Sequence, residues 1–372
     1  MADRIPAEVF PPGEFLRDEL DARGWTQTEF AEIVGRPFTF VNELINGKRG
    51  ITPETAHELS AAIGPSAQFW MNLDAAYQLS KVAPATQRIA REAALRERFP
   101  VREMTKRGWI RASGSYDEVE QQILAYFGSQ SIDEPIRFPH AARRDYGSEL
   151  SSMQWAWLFR VKQLASALQV PRFSEEKLRA TLPDLERLML DVEEIRHIPR
   201  ILSECGVRFV IVEPIPGSKI QGVCFWIDRK SSPVIGLSLK GDQIDRFWFD
   251  LWHEIEHVLR GDGKDEPILD DFDEPSANDP ESEKAANEAA ANHCVLSSSM
   301  KDFIRRHSPL FSEKNMLGFS RLMKRHPGIV AGQIQKRTDR WDLFKRHQVK
   351  IRHILTQVAL TDGYGRSVAS EL

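Results

Sequence analysis

The run His253-Glu254-Ile255-Glu256-His257 constrains this chain more than any other feature. It lies within residues 245–260, which hold no glycine or proline before Gly261, so the spacing predicts a helix that stops there. In such a helix His253 and His257 stand one turn apart and point the same way. Two imidazoles in that relation can hold one zinc ion, and Glu254 beside them is placed to take a proton from water. Zinc lowers the pKa of a water it binds towards about 7, which makes hydroxide available at neutral pH. A catalytic zinc needs a third protein ligand and one open position. The first candidate is Glu283 in ESEKAANEAAANH, with Asn287 one turn further on to support the ligand set. Asp279 and Glu281 are weaker rivals, and His293 lies ten residues past Glu283.

Upstream of this helix the period changes. VRFVIVEPI, GVCFWID and PVIGLSL are β-branched and aromatic runs broken by Gly or Pro, which predicts a small three-stranded sheet. Residues 81–200 read as mostly helical, with Gly108 and Gly114 dividing two short helices. Trp155 and Phe159 are four apart and are expected to pack on one core face. The fold class expected is mainly α with a small β-sheet, an α+β arrangement. The expected organisation is a helix-turn-helix bundle at 1–80, a helical middle at 81–195, a metal-site domain at 196–300 and a basic helical extension at 301–372.

Residues 12–64 read as short helices separated by punctuation. Thr26 and Glu29 form a capping-box pattern that opens one helix, and Gly35 stops it. Pro37 suits the first turn of the next, which ends at Asn46-Gly47, and Thr52-Pro53 opens a fourth. Two short helices joined by a tight glycine turn follow the helix-turn-helix plan. On that plan Phe38, Thr39, Phe40 and Asn42 lie on the outer side of the second helix. Gln27, Thr28, Lys48 and Arg49 complete the DNA-facing set, with Gln27 and the Lys48-Arg49 pair towards phosphates. Phenylalanines cannot bond a purine edge, but they suit a thymine methyl.

Two resemblances follow from these residues. GWTQTEFAEIVG, NELINGKRGITPETAHELSAAIG and FWMNLDAAYQL resemble the Xre-type DNA-binding domain of HigA-type antitoxins. That likeness covers most of residues 10–80 and implies an operator-binding, dimerising helical domain. Residues 195–300 resemble the ImmA/IrrE metallopeptidases, through Pro233-Val234-Ile235-Gly236-Leu237-Ser238, Asp245-Arg246-Phe247-Trp248-Phe249, the HEIEH run and Glu283 with Ala286-Asn287. This second resemblance implies zinc held by His253, His257 and Glu283, Glu254 as general base, and other proteins as substrates. In the chain Ala285, Ala289 and Leu296 stand where that family often has glutamate, phenylalanine and proline.

Charge is uneven along the chain and leaves room for local faces. The net charge is −4, which excludes a uniformly basic nucleic-acid coat. Residues 261–288 hold eleven acids against Lys264 and Lys284, and the acidic loop 262–281 is expected to cover the cleft and keep the enzyme latent. Residues 301–350 hold thirteen Lys or Arg against four acids and are the best candidate for an anionic or acidic partner. No run approaches a membrane span, the N-terminus lacks the apolar core of a signal peptide, and three distant cysteines suit a reduced compartment, so a cytoplasmic protein is expected. Two functions are in view: a zinc endopeptidase-type regulator that cuts a regulatory protein, or an antitoxin-like repressor that binds operator DNA and a toxin without proteolysis.

Overall fold

The computed structural model describes residues 10–81, 83–136, 138, 150–271 and 280–366. The chain divides into two compact units, 1–94 and 95–372.

The first unit is all helix: α1 (Pro12–Arg23), α2 (Gln27–Ile33), α3 (Phe38–Ile45), α4 (Pro53–Ile63) and α5 (Ala67–Lys81). Each end is set by local chemistry. Thr26 and Glu29 close the expected capping box on α2, and Thr52 caps α4 ahead of Pro53. Gly24 and Gly35 take left-handed conformations at φ 70° and 66°, which ends α1 and turns the chain after α2. Pro37 stands just before α3 in extended backbone, not in its first turn as expected. Leu16, Leu20, Phe30, Val41, Leu44, Leu59 and Trp70 form the core, one apolar stripe per helix. A Cβ at Gly13 would lie 2.2 Å from the Ile45 carbonyl, so only glycine lets α1 approach α3 this closely.

Helix α6 (Ala83–Arg98) follows in the chain, then α7 (Val101–Lys106), α8 (Tyr116–Phe127), α9 (Ser152–Ala167), α10 (Glu175–Leu188) and α11 (Ile198–Glu204). Strands β1 (Arg208–Val212), β2 (Ile220–Ile227) and β3 (Ser232–Leu237) match the three expected runs. After them come α12 (Ile244–Arg260), β4 (Ile268–Asp271) and α13 (Glu281–Cys294). The described chain ends with α14 (Ser297–His307), α15 (Glu313–Met323), α16 (Pro327–Thr338), α17 (Arg352–Val358) and β5 (Leu360–Asp362).

The sheet has five strands in the order β4-β2-β3-β1-β5, two more than the sequence reading expected. β4 and β5 are short and carry charged residues, so neither shows the apolar run that marks the other three. β1 runs parallel to β3 and β5, while β2 is antiparallel to β3 and β4. Alternation sorts the side chains to two faces. Phe209, Ile211, Cys224, Trp226, Ile235 and Leu237 point to the core shared with α10–α13 and α17. Val210, Val212, Val223, Phe225, Ile227 and Val234 point to the core shared with α7–α9. The sheet is thus a middle layer between two helical layers, and its strands read as near-continuous apolar runs because both faces are covered. Trp155 is partly buried and Phe159 buried in the second of these cores, as expected.

β5 is held by charge as well as by strand pairing. The Asp362 carboxylate lies against the Arg160 guanidinium of α9, both almost wholly buried, and accepts from Trp109 Nε1 at 2.8 Å. α14, α15 and α16 close on a further small core in which Phe303 stacks on Phe319, ring centres 4.5 Å apart. No helix of the described residues is long and apolar enough to cross a membrane.

Candidate functional site

α12 forms as the spacing predicts. Ile244, Phe247, Trp248, Leu251, Trp252, Ile255, Val258 and Leu259 make one buried stripe, and Gly261 ends the helix at φ 73°. The same helix buries His253, Glu254 and His257. α13 lies against it because its facing positions are small: Ala286, Ala290 and Cys294 recur every four residues and are buried. That approach carries Glu283, one turn before Ala286, to the two histidines.

Among the described residues, His253, His257 and Glu283 are the group of metal-ligating side chains whose donor atoms converge, all within 4.8 Å of one another. His253 Nε2 and His257 Nε2 face each other at 3.0 Å. Glu283 Oε2 is 3.2 Å from His253 Nε2, and Glu283 Oε1 is 3.4 Å from His257 Nε2. Ligands about 2.0–2.1 Å from a tetrahedral zinc stand about 3.3 Å apart, so the set fits that ion. Two imidazoles and one carboxylate are also the donor types of catalytic zinc sites. Burial pushes the Glu283 carboxyl up, but hydrogen bonds and charge from His253 and His257 outweigh it and hold it at about 2. It is therefore ionised, as a ligand must be, at any ordinary pH.

Glu254 is fully buried beneath β2. A Cβ at Gly222 would lie 2.0 Å from Glu254 Oε1, so β2 can pass over this carboxylate only because residue 222 has no side chain. The back of His257 is also engaged: its Nδ1 is 3.1 Å from Asp262 Oδ2, just past the helix end. The sequence reading found neither Gly222 nor Asp262. A glycine inside an apolar strand, and an acid directly after a terminal helix glycine, are the signals that could have found them.

The other candidates lie elsewhere. Asn287 is half-buried on α13, one turn after Glu283. Glu281 opens α13 and is exposed. The His293 ring stacks on Trp252 with ring centres 4.1 Å apart and bonds Glu186 through Nδ1 at 2.9 Å, so it pins α13 instead of joining the cluster. Asp279 lies outside the described residues, as do 272–279 of the expected acidic cover.

In the first unit, Phe38 is 48% exposed at the start of α3, with Thr39 exposed beside it. Phe40 is drawn aside: its ring lies between the guanidinium groups of Arg36 and Arg49, at 5.2 and 4.9 Å. Arg49 also pairs with Glu43 at 2.9 Å. Asn42 Nδ2 donates to Gln27 Oε1 at 3.3 Å, which links α3 to the start of α2. Thr28 and Lys48 are exposed.

Comparison with known proteins bears on this unit. The helix-turn-helix family profile matches residues 16–69. The chain is 36% identical over 70 residues to the uncharacterized HTH-type transcriptional regulator YddM of Escherichia coli (strain K12), covering 19% of this chain and 74% of that protein. It is 40% identical over 72 residues to virulence-associated protein A′ of Dichelobacter nodosus, covering 19% of this chain and 63% of that protein. Among solved structures, the Pseudomonas aeruginosa antitoxin HigA with the higBA promoter aligns at 33% identity and a TM-score of 0.21, over 22% of this chain and 91% of that one. Fold and matched residues together define the first unit as a helix-turn-helix module of the Xre type. Through that unit the chain belongs to the helix-turn-helix family.

Proposed function

We propose that this protein is a zinc-dependent endopeptidase-type regulator with a DNA-binding helix-turn-helix module, cleaving a regulatory protein in a stress, toxin–antitoxin or phage-related response. One observation carries the enzymatic half: the convergence of His253, His257 and Glu283 beside the buried carboxylate of Glu254. His253, His257 and Glu283 hold the metal. Zinc, when bound, supplies the Lewis acidity that makes water nucleophilic near neutral pH. Glu254 takes the proton of the attacking water on its carboxylate and returns it to the leaving amine. Gly222 fixes where that carboxylate can sit. The substrate is an extended peptide segment, received by strand pairing on β4, an outer strand of the sheet among the described residues.

The DNA-binding half rests on the helix-turn-helix match, including a relative named as a transcriptional regulator. The same match favours a second reading, an antitoxin-like repressor that binds its operator as a homodimer, neutralises a toxin and cuts nothing. Glu254→Gln separates the two. The purified zinc-loaded protein is incubated with a peptide library read by mass spectrometry. Cleavage by wild type and none by Glu254→Gln, with zinc content equal in both, supports the peptidase. Equal cleavage by both removes Glu254 as base. No cleavage by wild type, with salt-dependent DNA binding intact, leaves the repressor.

A further inference from the structure

We infer that Asp262 is the positioning residue of the metal site: its carboxylate selects the tautomer of His257 and fixes the angle of that ring. The inference rests on the zinc-site reading above. The two nitrogens of His257 face different partners, Nε2 towards His253 and Glu283 and Nδ1 towards Asp262 Oδ2 at 3.1 Å. The same Oδ2 accepts from Arg260 Nε, so it is the acceptor of this pair too and Nδ1 carries the hydrogen. Nε2 must then present its lone pair, the form a metal needs. Asp262 is five residues past His257, close enough in sequence to be mistaken for a ligand, but it stands on the opposite side of the ring. His253, His257 and Glu283 form the cluster; Asp262 belongs to its frame.

Asp262 is itself held from several directions. Its backbone N–H donates to the His257 carbonyl at 2.9 Å. Its carbonyl accepts from Trp226 Nε1 of β2 at 2.7 Å. Arg260 Nε donates to the same Oδ2 at 3.2 Å, which turns that oxygen towards the helix end. On one side Gly261 supplies the left-handed turn. On the other, a Cβ at Gly263 would lie 2.6 Å from the Cys224 carbonyl, so glycine is needed for the loop to lie on β2. The central sheet thus reaches the metal site through an indole, a backbone carbonyl and a carboxylate. Removing such a partner costs about 10–100-fold in metal affinity.

The test is a zinc titration against a chromophoric chelator with the full-length metal-free protein, folding being checked by circular dichroism. Asp262→Ala should bind zinc about 10–100-fold more weakly than wild type. Asp262→Asn keeps an acceptor oxygen and should recover part of that loss, a graded rescue that a purely structural role would not give. In ¹⁵N-histidine spectra the His257 Nδ1–H signal, protected from exchange in the zinc-bound wild type, should be lost to fast solvent exchange in Asp262→Ala. Wild-type affinity in Asp262→Ala overturns the inference while leaving the zinc site standing. No zinc binding by wild type overturns the zinc site, and this inference with it. If Asp262→Ala does not fold, Asp262→Asn decides: weaker binding than wild type supports the inference and equal binding with an unchanged Nδ1–H signal overturns it.

Discussion

Zinc added to the metal-free protein should raise the unfolding temperature of the second unit, and Glu283→Ala should abolish the rise. The three donor sites are already gathered, with separations of 3.0, 3.2 and 3.4 Å, so binding orders little that is not ordered already. The unfolded chain has no such site, so all of the binding free energy stabilises the folded state. At free zinc about a hundredfold above Kd, the stabilisation is about 2.7 kcal/mol. For a unit of this size each kcal/mol moves Tm by about 2–4 °C, which gives a rise of about 5–10 °C. Tryptophan fluorescence is the natural probe, because seven of the nine tryptophans lie in residues 95–372, two of them, Trp248 and Trp252, buried on the ligand helix itself. The comparison is between chelator and zinc, in wild type and in Glu283→Ala, which keeps every histidine and cysteine. The rise should shrink as pH falls below the ordinary histidine range near about 6.5, because protons compete for the imidazoles. Glu283, held at about 2, stays ionised throughout that range and so is not the group that releases the metal. An equal rise in Glu283→Ala, or none in wild type, would refute the three-ligand centre.

Three further outcomes are expected. Gly222→Ala drives the Glu254 carboxylate from a position 2.0 Å from the new Cβ, a displacement of about 1 Å or more that should cost on the order of 10² in cleavage rate with zinc content unchanged, measured by peptide hydrolysis beside elemental analysis. Asp362→Ala leaves the buried Arg160 guanidinium without its carboxylate, and urea unfolding should show a loss of about 3–5 kcal/mol. For the helix-turn-helix face, uracil in place of thymine at the Phe38 contact should weaken wild-type binding and leave Phe38→Ala unaffected; additive losses in a gel-shift series would remove Phe38 as the reader of that methyl.

The helix that carries His253 and His257 was legible because its signals are local. An unbroken apolar stripe, a terminal glycine and two histidines at one-turn spacing all lie within residues 244–261. Glu283 is the first candidate its own segment offers, and the family resemblance implies the same residue; the structure gives the physical reason it can approach: alanines at the contact positions of α13. The caps and turns of the first unit were equally local, and Thr26, Gly35 and Thr52 act as their residue types dictate. What escaped depends on distance along the chain. β4 and β5 are too short and too polar to announce themselves and become strands only because β2 and β1 present free edges. Gly222 and Asp262 acquire meaning only when β2 is laid across α12. On α3, the sequence gives no hint that Phe40 is claimed by two arginines while Phe38 stays exposed.

The clasp at Asp362 bears on when the second unit can be finished. It joins β5 to Arg160, 202 residues earlier, and to Trp109, 253 residues earlier. Contacts of such separation form late, because the loop between them must be closed before they return anything. On a ribosome the helical unit has its whole core, from Leu16 to Trp70, within reach as soon as it emerges. The sheet beside the His253-His257-Glu283 cluster must wait for residues 360–362 before β1 gains β5 as its neighbour. Synthesis therefore imposes an order, with the helix-turn-helix module completed while the second unit still lacks its fifth strand.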